Sequence, residues 1–208
     1  TPNSTTNELQ RIDCAPRSTF GDGIINSSDV VQSRRYVSGL DALTPAGGPA
    51  NRGGSVPESI FVTNIESDVF QRELSIGEPE FRRSTVIVPI DMTSYGNEVA
   101  MSFTLEYDPE IFSNPRITLG SFAPAGSTLT VNTTEPGRIG ILIDSANATI
   151  ASAIPQGIVT VSFDVKGEAS GEVPIYITGS LAAAAISDAQ GNSLSTKYVG
   201  RVVRFEAK

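Results

Sequence analysis

No histidine and no tryptophan occur among the 208 residues, and cysteine occurs once, at Cys14. Without histidine, neither Ser-His-Asp nor Cys-His machinery can be assembled. Without histidine and with one thiol, the ligands that zinc or copper requires are missing. A single cysteine excludes an intrachain disulfide and leaves Cys14 either inert or free to pair between molecules. Its neighbours Arg11, Asp13 and Arg17 are of mixed charge and do not favour a thiolate. Charged residues are scarce, at 18% of the chain, against about 25% in an average soluble domain. The net charge of −8 argues against a nucleic-acid partner, because phosphate binding needs clustered Lys and Arg. The same acidity suits solubility outside the cell and the binding of hard cations. No apolar run approaches the roughly 20 residues of a membrane span. The sequence opens on Thr1, which fits a mature chain whose targeting segment has been removed.

What fills the gap is Thr, Ser, Val, Ile, Gly and Pro, the composition of strands and turns. Three regions follow. Residues 1–40 hold a polar, aperiodic start and then a loop and one helix. Residues 41–58, DALTPAGGPANRGGSVPE, are a Gly/Pro-rich linker. Residues 59–208 carry β texture: STVIVPI (84–90), EVAMSFTLEY (98–107), STLTVN (127–132), RIGILI (138–143), GIVTVSFDV (157–165), EVPIYITG (172–179) and YVGRVVRFEA (198–207). Turn signals such as YDP, EPG, KGEASG and AQGN separate them. SLAAAAISDA (180–189) reads as a small-residue strand or turn. The fold class is mainly β, an antiparallel sandwich.

From residue 84, STVIVPIDMTSYGNEVAMSFTLEYDPEIF resembles the start of a cohesin domain, with a Val-x-Val-Pro-type strand and a second strand ending in a Tyr-Asp-Pro turn. SFAPAGSTLTVNTTEPGRIGILIDSA, IPQGIVTVSFDVKGEASGEVPIYITG and the closing YVGRVVRFEA continue the pattern over roughly 60–208. The resemblance implies a nine-stranded cohesin-like jelly-roll sandwich that binds proteins and has no catalytic activity. The stretch GDGIINSSDVVQSRRYV (21–37) resembles one dockerin repeat, with Asp22, Gly23, Ile25, Asn26, Ser27, Ser28, Asp29, Arg34 and Arg35 in register. Dockerins normally carry two such repeats, and this chain shows one.

A calcium loop of that kind takes ligands at its first, third, fifth, seventh, ninth and twelfth places, with glycine at the sixth. Here those places are Ser18, Phe20, Asp22, the Ile24 carbonyl, Asn26 and Asp29, with Gly23 at the turn. Calcium would therefore rest on Asp22, Ile24, Asn26 and Asp29, because Phe20 has no ligand to offer and Ser18 only a neutral oxygen. The alternative is a metal-free turn with Asn26 or Ser28 capping the helix. On the helix, Val30, Ser33, Tyr36, Val37 and Leu40 gather on one face, an apolar stripe that needs a partner. Ser27 and Arg34 are seven apart, as are Ser28 and Arg35, so each pair follows one stripe of the other side. The dockerin resemblance implies that these serines and arginines contact a cohesin.

The expected function is a non-catalytic extracellular or cell-surface structural protein. Its dockerin-like segment would engage the cohesin-like sandwich of another copy, head to tail, or a strand would be donated from residues 1–17 or 59–64. A scaffold module recruiting dockerin-bearing proteins is the alternative. A carbohydrate-binding module is the second, and it lacks the aromatic platforms sugars use: Tyr95, Tyr107, Tyr176 and Tyr198 are scattered among strands and turns. Carboxylates such as Asp91, Glu106, Asp108, Asp144 and Asp164 show no spacing that pairs them for glycoside hydrolysis.

Overall fold

A computed structural model describes residues 8–48, 71–167 and 169–205. The N-terminal part contributes two helices, α1 (Glu8–Ile12) and α2 (Ser27–Val37). Twelve strands follow among the described residues: β1 (Glu73–Ile76), β2 (Glu80–Arg82), β3 (Thr85–Ser94), β4 (Ala100–Glu106), β5 (Phe112–Leu119), β6 (Thr128–Asn132), β7 (Arg138–Asp144), β8 (Ser152–Val165), β9 (Gly171–Thr178), β10 (Ala185–Ser187), β11 (Lys197–Val199) and β12 (Arg201–Phe205). They exceed the nine that the resemblance implies because β2, β10 and β11 are three-residue pieces.

One sheet runs β11-β1-β3-β8-β5, with β2 also on β3; the other runs β12-β9-β4-β7-β6, with β10 also on β4. β1 and β11 pair in parallel, and the other ladders are antiparallel. Strict alternation drives the layering. In β3, TVIVPIDMTS, every second residue is buried, so Val86, Val88, Ile90 and Met92 line the interior. Opposite them stand Met101, Phe103 and Leu105 from β4 and Ile139, Ile141 and Ile143 from β7, all in one core. Tyr107, Phe112 and Phe163 close one end of it, with ring centroids 4.8–6.5 Å apart. Pro89 sits in β3, where the partner on one side passes from β1 to β2; its carbonyl accepts Gly77 N–H at 2.9 Å, so the missing donor costs no regular ladder bond.

A buried ion pair ties the entrance of the sandwich together. Arg72, just before β1, donates through Nε to Glu98 Oε1 at 2.5 Å. Glu98 is 0% exposed and also accepts from Ser94 Oγ, Thr149 Oγ1 and the N–H groups of Tyr95, Gly96 and Asn97. Burial pushes this carboxyl up, but the donors from Ser94, Thr149, Arg72 and Tyr95 outweigh it and hold it down at about 2.

Candidate protein-interaction site

Strand β4 does not follow the alternation of β3. Its residues Ala100 to Leu105 are all buried, although Ala100, Ser102 and Thr104 point away from the core. Two segments cover that outer face. Residues 181–183 lie along Thr104 and Ser102: Thr104 Oγ1 donates to Ala182 O and accepts N–H from Leu181 and Ala182, while Ser102 Oγ donates to Ala183 O at 2.7 Å. Helix α2 covers the remainder, packing on β4, β7 and β10. Small outward side chains leave room for this second layer.

Local chemistry fixes the helix. Asn26 is its N-cap: Oδ1 accepts Ser28 N–H at 2.7 Å, and Asp29 returns the favour by accepting Asn26 N–H at 2.9 Å, a reciprocal capping box. Asp29 Oδ1 further accepts the N–H groups of Cys14 (2.8 Å) and Ala15 (2.9 Å). Burial pushes the Asp29 carboxyl up to about 6, with the three amide donors opposing it. At the far end Arg35 grips Asp41 through Nε (2.8 Å) and Nη2 (3.1 Å), holding that carboxyl at about 2. Gln32 Nε2 reaches the same carboxylate, Tyr36 bonds Thr44, and Gln10 Nε2 donates to Gly48 O. Residues 41–48 therefore fold back on the loop and helix; residues 49–58 of the expected linker lie outside the described residues, as do 1–7 and 59–64 of the expected donor strands, while the described part of 1–17 forms α1 and no strand.

The contact with the sheet is largely polar. Ser27 N–H donates to Ser102 Oγ at 3.1 Å, and Ser27 Oγ donates to Ala185 O at 3.1 Å. Ser187 Oγ lies 2.7 Å from Ser27 Oγ and 2.9 Å from Ser28 Oγ, a buried hydroxyl relay between helix and β10. Two turns on, Arg34 Nη1 bonds Asp144 Oδ1 and Ser145 O, each at 2.7 Å, and Arg35 Nη1 reaches Ala189 O at 2.9 Å. Val31 packs with Val99 and Ala100 in a small apolar cluster separate from the main core. Among the described residues, every buried side-chain N and O has a hydrogen-bond partner.

The expected contact residues thus divide. Ser27, Ser28, Arg34 and Arg35 all meet the chain's own sandwich. Val30, Val37 and Leu40 do not form a buried stripe within this chain. Val30 is half-buried, and Val37 and Leu40 are 91% and 68% exposed. The helix instead buries Ser27, Ser28, Asp29, Val31 and Gln32, because each polar group on that side finds a partner and small residues allow close approach. Of the two readings of Cys14, the geometry favours the inert one: its thiol is buried against Asp29 O and Ser33 Oγ, and burial pushes its pKa up. Of the expected calcium ligands, Asp22 Oδ1 accepts Ile24 N–H, and Asn26 and Asp29 serve the cap. Asp13, Ser102, Ser187 and the partner role of Asp144 were not marked by any motif. The signal present in the sequence was the small outward residues of AMSFTLE and the run SLAAAAIS.

The profile of the cohesin domain matches residues 83–200, more than half of the chain. The chain belongs to the cohesin family. A cohesin from the archaeon Archaeoglobus fulgidus, described as non-cellulosomal, superposes with a TM-score of 0.53 at 17% identity, covering 66% of this chain and 92% of that one. The sixth cohesin of scaffoldin B from Acetivibrio cellulolyticus, solved in complex with a Cel5 dockerin variant, gives 0.52 at 19%, covering 65% and 99%. A type I cohesin–dockerin complex from Clostridium thermocellum gives 0.52 at 20%, covering 64% and 98%. At these identities the likeness is one of fold. A search among curated proteins gave no significant match. Cohesin domains are interaction modules without catalytic function, and in this chain the outer face of β4, β7 and β10 is covered by α2.

Proposed function

We propose that this cohesin is an extracellular, non-catalytic structural module whose β4–β7–β10 face receives a dockerin-like loop and helix, and that residues 18–40 are its own resident ligand. Exchanged between copies, the same contact joins molecules head to tail into a fibre or scaffold. The observation that carries this reading is the seating of Ser27, Ser28, Arg34 and Arg35 on a cohesin sheet. These are the four residues for which the dockerin resemblance implies cohesin contact. Exchange in trans preserves every one of those bonds and adds none, so it depends on concentration and not on a new surface. Two of the similar solved cohesins are in complex with dockerins, which supports a dockerin-like partner. A scaffold that recruits foreign dockerins would have to displace the resident helix first.

A charge exchange tests the proposal with full-length chains. R34D places two carboxylates at the Arg34–Asp144 contact, and D144R places two guanidiniums there; each disfavours seating in its own chain and in its own kind. Mixed, the acidic helix of one variant fits the basic face of the other, and the remaining pair is native. Light scattering after size exclusion should show association in the mixture and monomers in each variant alone. A mixture that stays monomeric would mean the helix seats only in its own chain.

A further inference from the structure

We infer that the loop from residue 13 to residue 29 is closed by the carboxylates of Asp13 and Asp29 in place of a bound cation. The spacing that suggests calcium requires oxygen atoms converging on a common point. In this loop it is N–H groups that converge, and carboxylates that receive them. Asp13 Oδ1 accepts Asp22 N–H at 3.0 Å, and Asp13 Oδ2 accepts Gly23 N–H at 2.6 Å, so the turn glycine of the expected calcium loop points its donor at an acid from outside that loop. Asp29, the expected twelfth-position ligand, spends Oδ1 on Cys14 and Ala15 and Oδ2 on Asn26. Asp22 and Asn26 each turn their Oδ1 onto an N–H two residues ahead, of Ile24 and Ser28. A cation placed here would face the positive ends of amide dipoles, the arrangement that binds anions.

The seat for Asp13 is shaped as well as polar. Asp13 is 0% exposed and Asp29 2%. Gly21 lies against Asp13: a Cβ there would stand 2.5 Å from both Asp13 Oδ1 and Asp13 O, and its φ of +111° is open only to glycine. Phe20, the residue that breaks the calcium pattern, takes φ 59° and leads into this turn. The residues present do not fit calcium. Among the described residues, no three His, Cys, Asp or Glu side chains are grouped to hold a metal ion. Aspartates 16 residues apart do from within what a cation would do from outside: Asp13 holds the turn at residues 22–23, and Asp29 holds residues 14–15 to the start of α2.

The experiment uses the full chain and Cys14, whose buried thiol reports opening of this loop. Native protein is labelled with a maleimide in 5 mM (about physiological excess) CaCl2 and, separately, in a chelator. Equal labelling rates and equal melting temperatures are expected. Slower labelling or a higher melting temperature with calcium would overturn the inference. D13N keeps size but turns an amide donor toward one of the two N–H donors and leaves a neutral oxygen for the other, so labelling should speed up by roughly tenfold or more. In a D13N chain too unstable to assay, the calcium comparison on native protein still decides. A D13N chain that folds and labels at the native rate would equally overturn the role given to Asp13.

Discussion

Two buried carboxylates in this cohesin titrate in opposite directions, and the reason lies in their donors. Glu98 is held at about 2 by a guanidinium, two hydroxyls and main-chain amides, against the upward pull of burial. Asp29 has amides alone, and burial carries it to about 6. A depressed carboxyl contributes stability that is complete above its unfolded value and is lost as pH falls toward 2. With an ordinary value near 4.5, Glu98 accounts for roughly 3 kcal/mol, unscreened because the side chain is 0% exposed. A raised carboxyl acts the other way: Asp29 binds its proton more tightly when folded, so stability rises as pH falls from above 6 toward 3.8. Asp13 and Asp91 are raised as well and add to that limb. The melting temperature should therefore peak between about pH 4.5 and 6. Thermal denaturation from pH 3 to pH 8 measures it, and a curve still climbing at pH 8 would contradict the assignment of Asp29.

At the scale of elements, α2 is the instructive case. Eleven residues of helix are marginal in isolation, so its persistence depends on what it packs against. Removing the Ser187 hydroxyl in S187A strips a partner from both Ser27 and Ser28, at a cost of about 1–3 kcal/mol for buried groups left unpaired. Amide exchange across residues 27–37 should then accelerate roughly five- to hundredfold, while exchange in β3 and β8 stays unchanged. Acceleration in both regions would mean that Ser187 supports the sandwich and not the docked helix. β3, β4, β6, β7, β8 and β9 were legible because alternation and β-branched residues announced them, and the small-residue reading of 180–189 holds in β10. β5 was not, since Pro115 and a register shift between Ser113 and Arg116 break its pattern; the chain tolerates them because β5 is an edge. α2 itself was legible in position but not in orientation. A hydrophobic stripe predicts the buried face only where burial is driven by apolar area, and here hydrogen-bonded serines and an arginine decide which side goes in. Asp13 was invisible because its role depends on amides nine and ten residues away.

Viewed whole, the described residues form two apolar clusters of very different size. The sandwich core draws on β1, β3, β4, β5, β7, β8, β9, β10 and β12, whereas only Val31, Val99 and Ala100 form the apolar seam between α2 and the sheet. Free energy from burial scales with apolar area, at about 25 cal/mol per Å². The seam is therefore held mainly by hydrogen bonds and by the Arg34–Asp144 pair, whose side chains are 34% and 21% exposed and whose worth is about 1 kcal/mol or less. Such a contact should open before the sandwich melts, and an opened contact is what exchange between copies requires. Cys14 makes the two events separable. Its thiol is buried within the N-terminal segment, against Asp29 and Ser33, and the chain has no other cysteine to react. In a urea series, Cys14 should become reactive at lower denaturant than that at which the β-sheet circular dichroism is lost, and with a smaller m value because less surface is exposed. Coincident midpoints and equal slopes would make the chain one cooperative unit, and a head-to-tail assembly would then need global unfolding to form.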